Sequence, residues 1–192
     1  MASVAHTAPA AADPWAAIHD RVTPLVVEPA PAPAADAPWV GALLAQAPFA
    51  WRVTGPAVSV AALLGEAPDA LREMVSAHAR RFADLMGAEQ VSVRIEGITS
   101  NACTRVHADF TDVRLIRTLA GPGTDHAPDG DPQAPLSRIP TGHIGLFKGR
   151  RYPGADGCCH QPCLHRSPPI EGTGLRRLVL VIDTARTIAE QA

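Results

Sequence analysis

The stretch Val106 to Phe110, VHADF, sets a histidine and an aspartate two residues apart in a run of strand-like composition. On a strand, residues i and i+2 leave from the same face, so His107 and Asp109 can both be presented to one ion while Ala108 points away. Alone the pair says little, because a chain with 8 His and 19 acidic residues offers such a spacing by chance. A third piece lies near the C-terminus. In CLHRSPPIEGTGLRRLVLVID, His165 is followed by a Pro/Gly-rich turn and then by Arg176 and Arg177 at the head of a strongly apolar strand. Two His and one carboxylate on one face of an ion form the ligand set of non-haem Fe(II) sites, which keep positions open for oxygen and a co-substrate. An arginine nearby can pair bidentately with a co-substrate carboxylate. The expected metal ligands are therefore His107, Asp109 and His165, with Arg176 or Arg177 binding the cofactor. Arg114, five residues after Asp109, is expected to be a second anion clamp or the partner of Asp109. Each piece also has a plainer reading, such as a histidine satisfied by a backbone carbonyl or arginines that merely flank a core strand.

A competing cluster is CCHQPCLH, which packs Cys158, Cys159, His160, Cys163 and His165 into eight residues, while Cys103 lies four before His107. Thiolate and imidazole together suit tetrahedral Zn(II). In that alternative Cys158, Cys159 and Cys163 join His107 and His165 as zinc ligands of a non-catalytic, metal-handling protein. Structural zinc sites usually draw ligand pairs from two separated segments, and the only second segment here is Cys103 to His107.

These residues need a scaffold that brings distant strands together. At 192 residues the chain fits one domain with a real core. Residues 1–38 are rich in Ala and Pro, which cannot sustain a regular helix, and read as a largely flexible arm with RVTPLVV as an edge strand or docking segment. A single domain is expected over 39–192. Helical signals occupy 39–87, where Pro68 to Gly87 carries apolar residues at three- and four-residue steps and Gly87 is a natural C-cap. His78 lies on the apolar side of that helix and reads as a core residue, not a ligand. From residue 90 to 183 the period changes to two, with VSVRIEGI and further strands at Val113–Leu119, His143–Phe147 and Arg177–Ile182. Helices first and strands second predict an α+β fold, a β-sandwich or barrel buttressed by N-terminal helices and not a doubly wound α/β fold.

Composition limits the partners. A formal charge of −2 and only one short basic run, KGRRY, exclude a phosphate-binding surface of the kind nucleic acid needs. No apolar run approaches the roughly 20 residues of a membrane helix. The N-terminus lacks the pattern of a secretory signal, so a cytoplasmic location and reduced cysteines are expected. The turn AGPGT lacks the Lys-Ser/Thr ending of a phosphate loop. Substrate and oligomeric state are not written in these features.

VHADFTDVRLIRTLAGPGT, GLFKGRRYPG and HRSPPIEGTGLRRLVLVID together resemble the bacterial domain-of-unknown-function family 1826, over about Trp39 to Asp183. The order His-x-Asp, distant His, then Arg is also similar to that of the Fe(II)/2-oxoglutarate oxygenases. The resemblance implies a double-stranded β-helix and places His107, Asp109, His165 and Arg166 on motif residues, with Arg166 a catalytic candidate beside Arg114. It further implies Fe(II) and 2-oxoglutarate as cofactors and hydroxylation of an unknown small-molecule or protein substrate. The family's association with zinc-responsive metallochaperone genes implies a role in metal homeostasis as the alternative, and the extra Cys158, Cys159 and Cys163 depart from the family pattern.

Overall fold

Strands that alternate Val91, Val93 and Ile95 with Ser92, Arg94 and Glu96 need a sheet with one dry face and one polar face. The computed structural model, which describes residues 13–34, 37–152 and 161–185, contains such a sheet. Its strands are β1 (Leu25–Glu28), β2 (Phe49–Pro56), β3 (Gln90–Ile98), β4 (Val113–Ala120), β7 (Ile144–Lys148) and β9 (Arg177–Thr184), in the spatial order β1-β7-β4-β9-β3-β2. Every neighbouring pair is antiparallel. A second, three-stranded antiparallel sheet comprises β5 (Asp125–His126), β6 (Ser137–Arg138) and β8 (His165–Arg166), in the order β6-β5-β8. Outside the named strands, His107 forms an isolated antiparallel bridge with His165.

The dry face of the large sheet presents Val91, Val93, Ile95, Leu115, Leu146, Leu180 and Ile182 to two helices, α1 (Pro38–Gln46) and α2 (Asp69–Met86). From α2 the side chains of Leu71, Val75, Ala79 and Phe82 meet it, all 0 % exposed. Their three- and four-residue spacing gives a single apolar stripe, and burying each such large side chain contributes about 1.5–3 kcal/mol. The helix ends where Gly87 adopts φ 61 and its N–H reaches the carbonyls of Ala83 and Asp84. The opposite face carries Arg94, Glu96, Arg114, Ile116, Arg177, Val179 and Val181, which line a cavity of about 90 Å³.

Two expectations are corrected. The helical region 39–87 contains β2, because Phe49, Trp51 and Val53 alternate with Ala50, Arg52 and Thr54 and complete the sheet beyond β3. Aromatic and β-branched residues at this period outweigh the neighbouring helical signals. The reading of residues 1–38 as a free arm does not hold for residues 13–34. Trp15 and Ile18 lie in a short 3-10 helix, Pro14–His19, and are 0 % exposed in the main core. The Arg81 guanidinium stacks 3.7 Å from the centroid of the Trp15 ring and pairs with Asp13 at 2.6 Å, which fastens this segment to α2. Downstream, β1 hydrogen-bonds to β7 as the expected edge strand.

The Gly-Pro-Gly turn after β4 is a packing device. A Cβ on Gly121, whose φ is 80°, would stand 2.0 Å from the Arg176 carbonyl oxygen, and one on Gly123 would stand 1.8 Å from that of Ile139. Only glycine lets the turn pass between the start of β9 and the residue that follows β6. Among the described residues no helix is long and apolar enough to cross a membrane.

His78 is a structural residue, as its place on the apolar side of α2 suggests. Its Nε2 lies 2.7 Å from Arg117 Nη1, while Arg117 donates to the carbonyls of Gly142 and Pro31. Burial, then the charges of Arg117 and Arg81, push the imidazole down to about 4. A base held below its ordinary value takes up its proton preferentially in the unfolded chain, so stability falls as pH drops from about 6.5 towards about 4. Denaturant unfolding at about pH 7 and about pH 4.5 should show this loss in the wild type, and a smaller loss in His78→Gln, whose amide oxygen can still accept from Arg117.

Candidate metal centre

The backbone brings the expected ligands together before any side chain does. His107 N–H donates to the His165 carbonyl at 3.0 Å, and His165 N–H donates back to His107 at 2.8 Å. This reciprocal pair stands their side chains side by side, with ring centroids 4.8 Å apart. Asp109 follows two residues on. One ligand atom from each of His107, Asp109 and His165 lies within 4.8 Å of the others, the one such group of three among the described residues.

The tautomers suit a metal. His107 Nδ1–H donates to the Arg105 carbonyl at 2.9 Å, and His165 Nδ1–H donates to the Cys163 carbonyl at 3.2 Å. Each bond leaves Nε2 as the free lone pair, which is how metal-binding histidines are commonly oriented. His165 Nε2 faces Asp109 Oδ2 at 3.1 Å, and His107 Nε2 faces Oδ1 at 3.6 Å. Asp109 Oδ2 is buried without a well-formed hydrogen bond. Lone pairs that converge on a buried carboxylate oxygen require a proton or a cation between them. The donor set therefore fits a divalent cation with two nitrogens and one oxygen, on one wall of the cavity.

The charge of Asp109 is set by its neighbours. Burial alone would raise its carboxyl, but with a proton in place of a cation between them, the hydrogen bond and charge of His165, then the charges of Arg114 and His107, outweigh burial and hold it down to about 2. Arg114 Nη1 lies 2.6 Å from Asp109 Oδ1, and its Nε and Nη2 form a bidentate pair with Asp183 at 2.8 Å each. Arg114 and Asp183 are direct cross-strand partners on β4 and β9, so sheet register places this ion pair. Of the two roles expected for Arg114, the structure gives it that of Asp109's partner. With both carboxylates already on its guanidinium it is no free anion clamp. Asp183 was missed in the sequence, although it shares the parity of Arg177, Val179 and Val181 along β9.

The two arginines at the head of β9 separate cleanly. Arg176 is exposed and donates to the Leu44 carbonyl at 2.6 Å, away from the site. Arg177 is 1 % exposed and lines the cavity. Its Nε donates to the Pro122 carbonyl at 2.7 Å, inside the Gly-Pro-Gly turn, and its Nη2 lies 3.4 Å from the hydroxyls of Thr118 and Thr124. Burial pushes the guanidinium down to about 10, which leaves it charged at neutral pH. Arg166, expected beside Arg114 as a catalytic residue, is turned away: successive residues of a strand face opposite sides, and its Nε pairs with Asp125 at 3.4 Å.

Cys163 does not join the group. Cys163 is 2 % exposed and packs with Ile139 and Phe147 in a small apolar cluster, where burial pushes its thiol up to about 12. A zinc set built on Cys163 is thus opposed by its surroundings. Cys158 and Cys159 lie outside the described residues.

The two arginines beside the site make contrasting predictions. Arg114→Gln leaves two largely buried carboxylates without their cation and should cost about 3–5 kcal/mol in denaturant unfolding. Arg166→Gln removes one long, half-exposed contact and should cost about 1 kcal/mol or less.

Three solved structures share this arrangement of chain. A prolyl-4-hydroxylase of Pseudomonas putida aligns with a TM-score of 0.53 at 15% identity, over 95% of this chain and 99% of that one. The rice dioxygenase for auxin oxidation aligns with a TM-score of 0.52 at 15% identity, over 73% of this chain and 57% of its own. The Arabidopsis thaliana enzyme of the same name, as its 2-oxoglutarate complex, gives 0.51 at 12% identity, over 75% and 67%. The chain thus spans little more than half of the rice enzyme, and at these identities the likeness shows the fold: the antiparallel, sheet-rich fold of these oxygenases. No curated protein sequence matches. The model of a protein family of unknown function, DUF1826, matches residues 55–183, two-thirds of the chain and all of the site, and the chain belongs to that family.

Proposed function

We propose that the protein is a mononuclear Fe(II) oxygenase of the 2-oxoglutarate type, with His107, Asp109 and His165 as metal ligands and Arg177 as the anchor of the co-substrate. One observation carries this reading. Two histidines oriented through Nδ1 and a buried carboxylate converge on one wall of a cavity whose lining also includes a buried, charged arginine. A protein that only stores a metal has no need of the arginine.

When bound, Fe(II) with 2-oxoglutarate supplies oxygen activation at the open positions of a two-His, one-carboxylate site. The chain's own residues prepare that chemistry. The backbone pairing of His107 with His165 presets the spacing of the two imidazoles, so ligation needs little reorganisation. Arg114 keeps Asp109 ionised and aims it, leaving Oδ2 for the metal. Three of the five N–H groups of Arg177 face Pro122, Thr118 and Thr124, and Nη1 has no protein partner among the described residues. Those two donors are the ones left for a carboxylate of the co-substrate, where a charge-assisted bond in a buried site would contribute about 1.5–3 kcal/mol. Val179, Val181, Ile116 and Ile98 form the apolar part of the lining and limit water around it. The likeness to a prolyl hydroxylase and to two auxin dioxygenases supports the reaction type without choosing between a protein and a small-molecule substrate.

Elemental mass spectrometry of anaerobically purified protein is the direct test. Stoichiometric iron in the wild type and in Cys163→Ala, lost in Asp109→Ala, supports the ligand set. Zinc lost on Cys163→Ala would move the protein to metal handling. With iron loaded, Arg177→Leu should keep the metal and weaken 2-oxoglutarate binding by about 10–100-fold. Equal affinity in wild type and variant would remove Arg177 from the site.

A further inference from the structure

The polar face of the large sheet holds two arginines directly opposite one another. Arg52 on β2 is the register partner of Arg94 on β3, and like charges so placed repel. Both guanidinium groups converge on a single oxygen. Arg94 Nε lies 3.1 Å and Arg52 Nη2 lies 3.8 Å from Oε1 of Glu96. Arg94 Nε is buried without a well-formed hydrogen bond, so Glu96 balances its charge but does not satisfy its donor.

The other charges of this wall have closer partners. Arg114 holds Asp109 and Asp183, and Arg177 is fixed to the Gly-Pro-Gly turn. Arg52 and Arg94 share one carboxylate, which leaves one positive charge here without a carboxylate of its own among the described residues. Arg94 cannot shed that charge by losing a proton. Burial pushes its guanidinium down, Glu96 opposes this, and Arg114 and Arg52 add to it, yet a guanidinium stays charged in a protein.

Position separates the two arginines. The Arg52 side chain is 67 % exposed, and water can solvate it, whereas that of Arg94 is 25 % exposed and lines the cavity that holds His107, Asp109 and His165. Across the sheet Arg94 faces Val181, which in turn faces Ile116. A planar cation bordered by branched apolar side chains, in the same cavity as the metal ligands, suits a carboxylate carried on a short hydrocarbon.

We propose that the substrate is a small carboxylic acid whose carboxylate binds Arg94, with Arg52 adding charge from the neighbouring strand. This rests on the oxygenase reading above. Glu96 holds the two guanidinium groups together in the empty site, and the incoming carboxylate competes with it for Arg94. Arg94 and Arg177 then divide the work: one receives the acid to be oxidised, the other the co-substrate.

Ligand-observed NMR on the full-length chain, kept anaerobic with 2-oxoglutarate, tests this with isovalerate and its neutral amide, isovaleramide. With Zn(II) in the site, saturation transfer reads binding. With Mn(II) in its place, extra proton relaxation reads nearness to the metal. Isovalerate should bind at least about tenfold more tightly than the amide and relax faster with Mn(II), the affinity step expected of one charge-assisted hydrogen bond. Arg94→Gln should abolish that preference and leave 2-oxoglutarate affinity unchanged, and Arg52→Gln should reduce it by a smaller factor. Glu96→Gln should tighten isovalerate binding, a gain that a poorly folded chain could not give. Equal affinity for acid and amide, or an acid affinity unmoved by Arg94→Gln, would overturn the role of Arg94. Loss of 2-oxoglutarate binding in Arg94→Gln would overturn it by making Arg94 the co-substrate anchor. Tighter binding of acetyl-glycyl-valine than of isovalerate would overturn the small acid in favour of a peptide end. Acid binding that depends on Arg94 without any Mn(II) relaxation would overturn the oxygenase reading, and the substrate role with it.

Discussion

A carboxylate taken out of water must be matched by cations or metal, and Asp109 is that carboxylate here. Its ionised form survives burial because Arg114 and two histidines surround it. Arg114 is in turn held by Asp183, and that pair is placed by the register of β4 against β9. The large sheet therefore does more than carry the site. A one-residue slip of β4 on β9 would turn Arg114 to the dry face and leave Asp109 buried without its guanidinium partner. Register is protected by the other face of the same strands, where Leu115, Leu180 and Ile182 must stay against α2. Hydrophobic packing on one side of the sheet thus sets the electrostatics of the other.

The small sheet supplies the remaining half of the site by different means. Its strands are only two residues long, too short to carry much stability alone. They are secured by what passes between the layers. The Gly-Pro-Gly turn runs close to the Arg176 and Ile139 carbonyls and offers its own Pro122 carbonyl to Arg177. Ile139, Phe147 and Cys163 form a small apolar cluster behind His165, with the Phe147 ring centroid 4.7 Å from that of His165. On the outer side Asp125 gathers Arg138 and Arg166. Ligand orientation at His165 is a product of these contacts together.

At the far end of the sheet, residues 13–34 complete the body of the protein. Trp15 fills the core beside α2, and Lys148, 1 % exposed, donates from Nζ to the Asp20 carbonyl at 2.6 Å. A buried lysine on β7 and a buried tryptophan in an Ala/Pro-rich segment explain one another: the lysine gains its carbonyl, and the tryptophan its apolar cover, only when the segment docks.

Much of this was legible in the residues themselves. Period-two alternation located β3, β4, β7 and β9, and the apolar steps with Gly87 located α2, since local periodicity follows directly from the geometry of strand and helix. The spacing His107-x-Asp109 and the distant His165 nominated a ligand set that the fold does bring within 4.8 Å. Other features depend on contacts between residues far apart in the chain and had no local signal. Which of Arg176 and Arg177 faces the cavity was decided by the parity of β9 and by the Pro122 carbonyl. Arg114 became the partner of Asp109 through its pairing with Asp183, and Arg166 was lost to Asp125 by the pleat of β8. Cys103 and Cys163 look alike in sequence, yet one stands beside His107 and the other is sealed in an apolar cluster. The sequence by itself determined which chemistry was affordable, because residue type and periodicity are local. Only the tertiary structure decided which residues carry it, because burial, pairing and a shared cavity arise when distant segments meet.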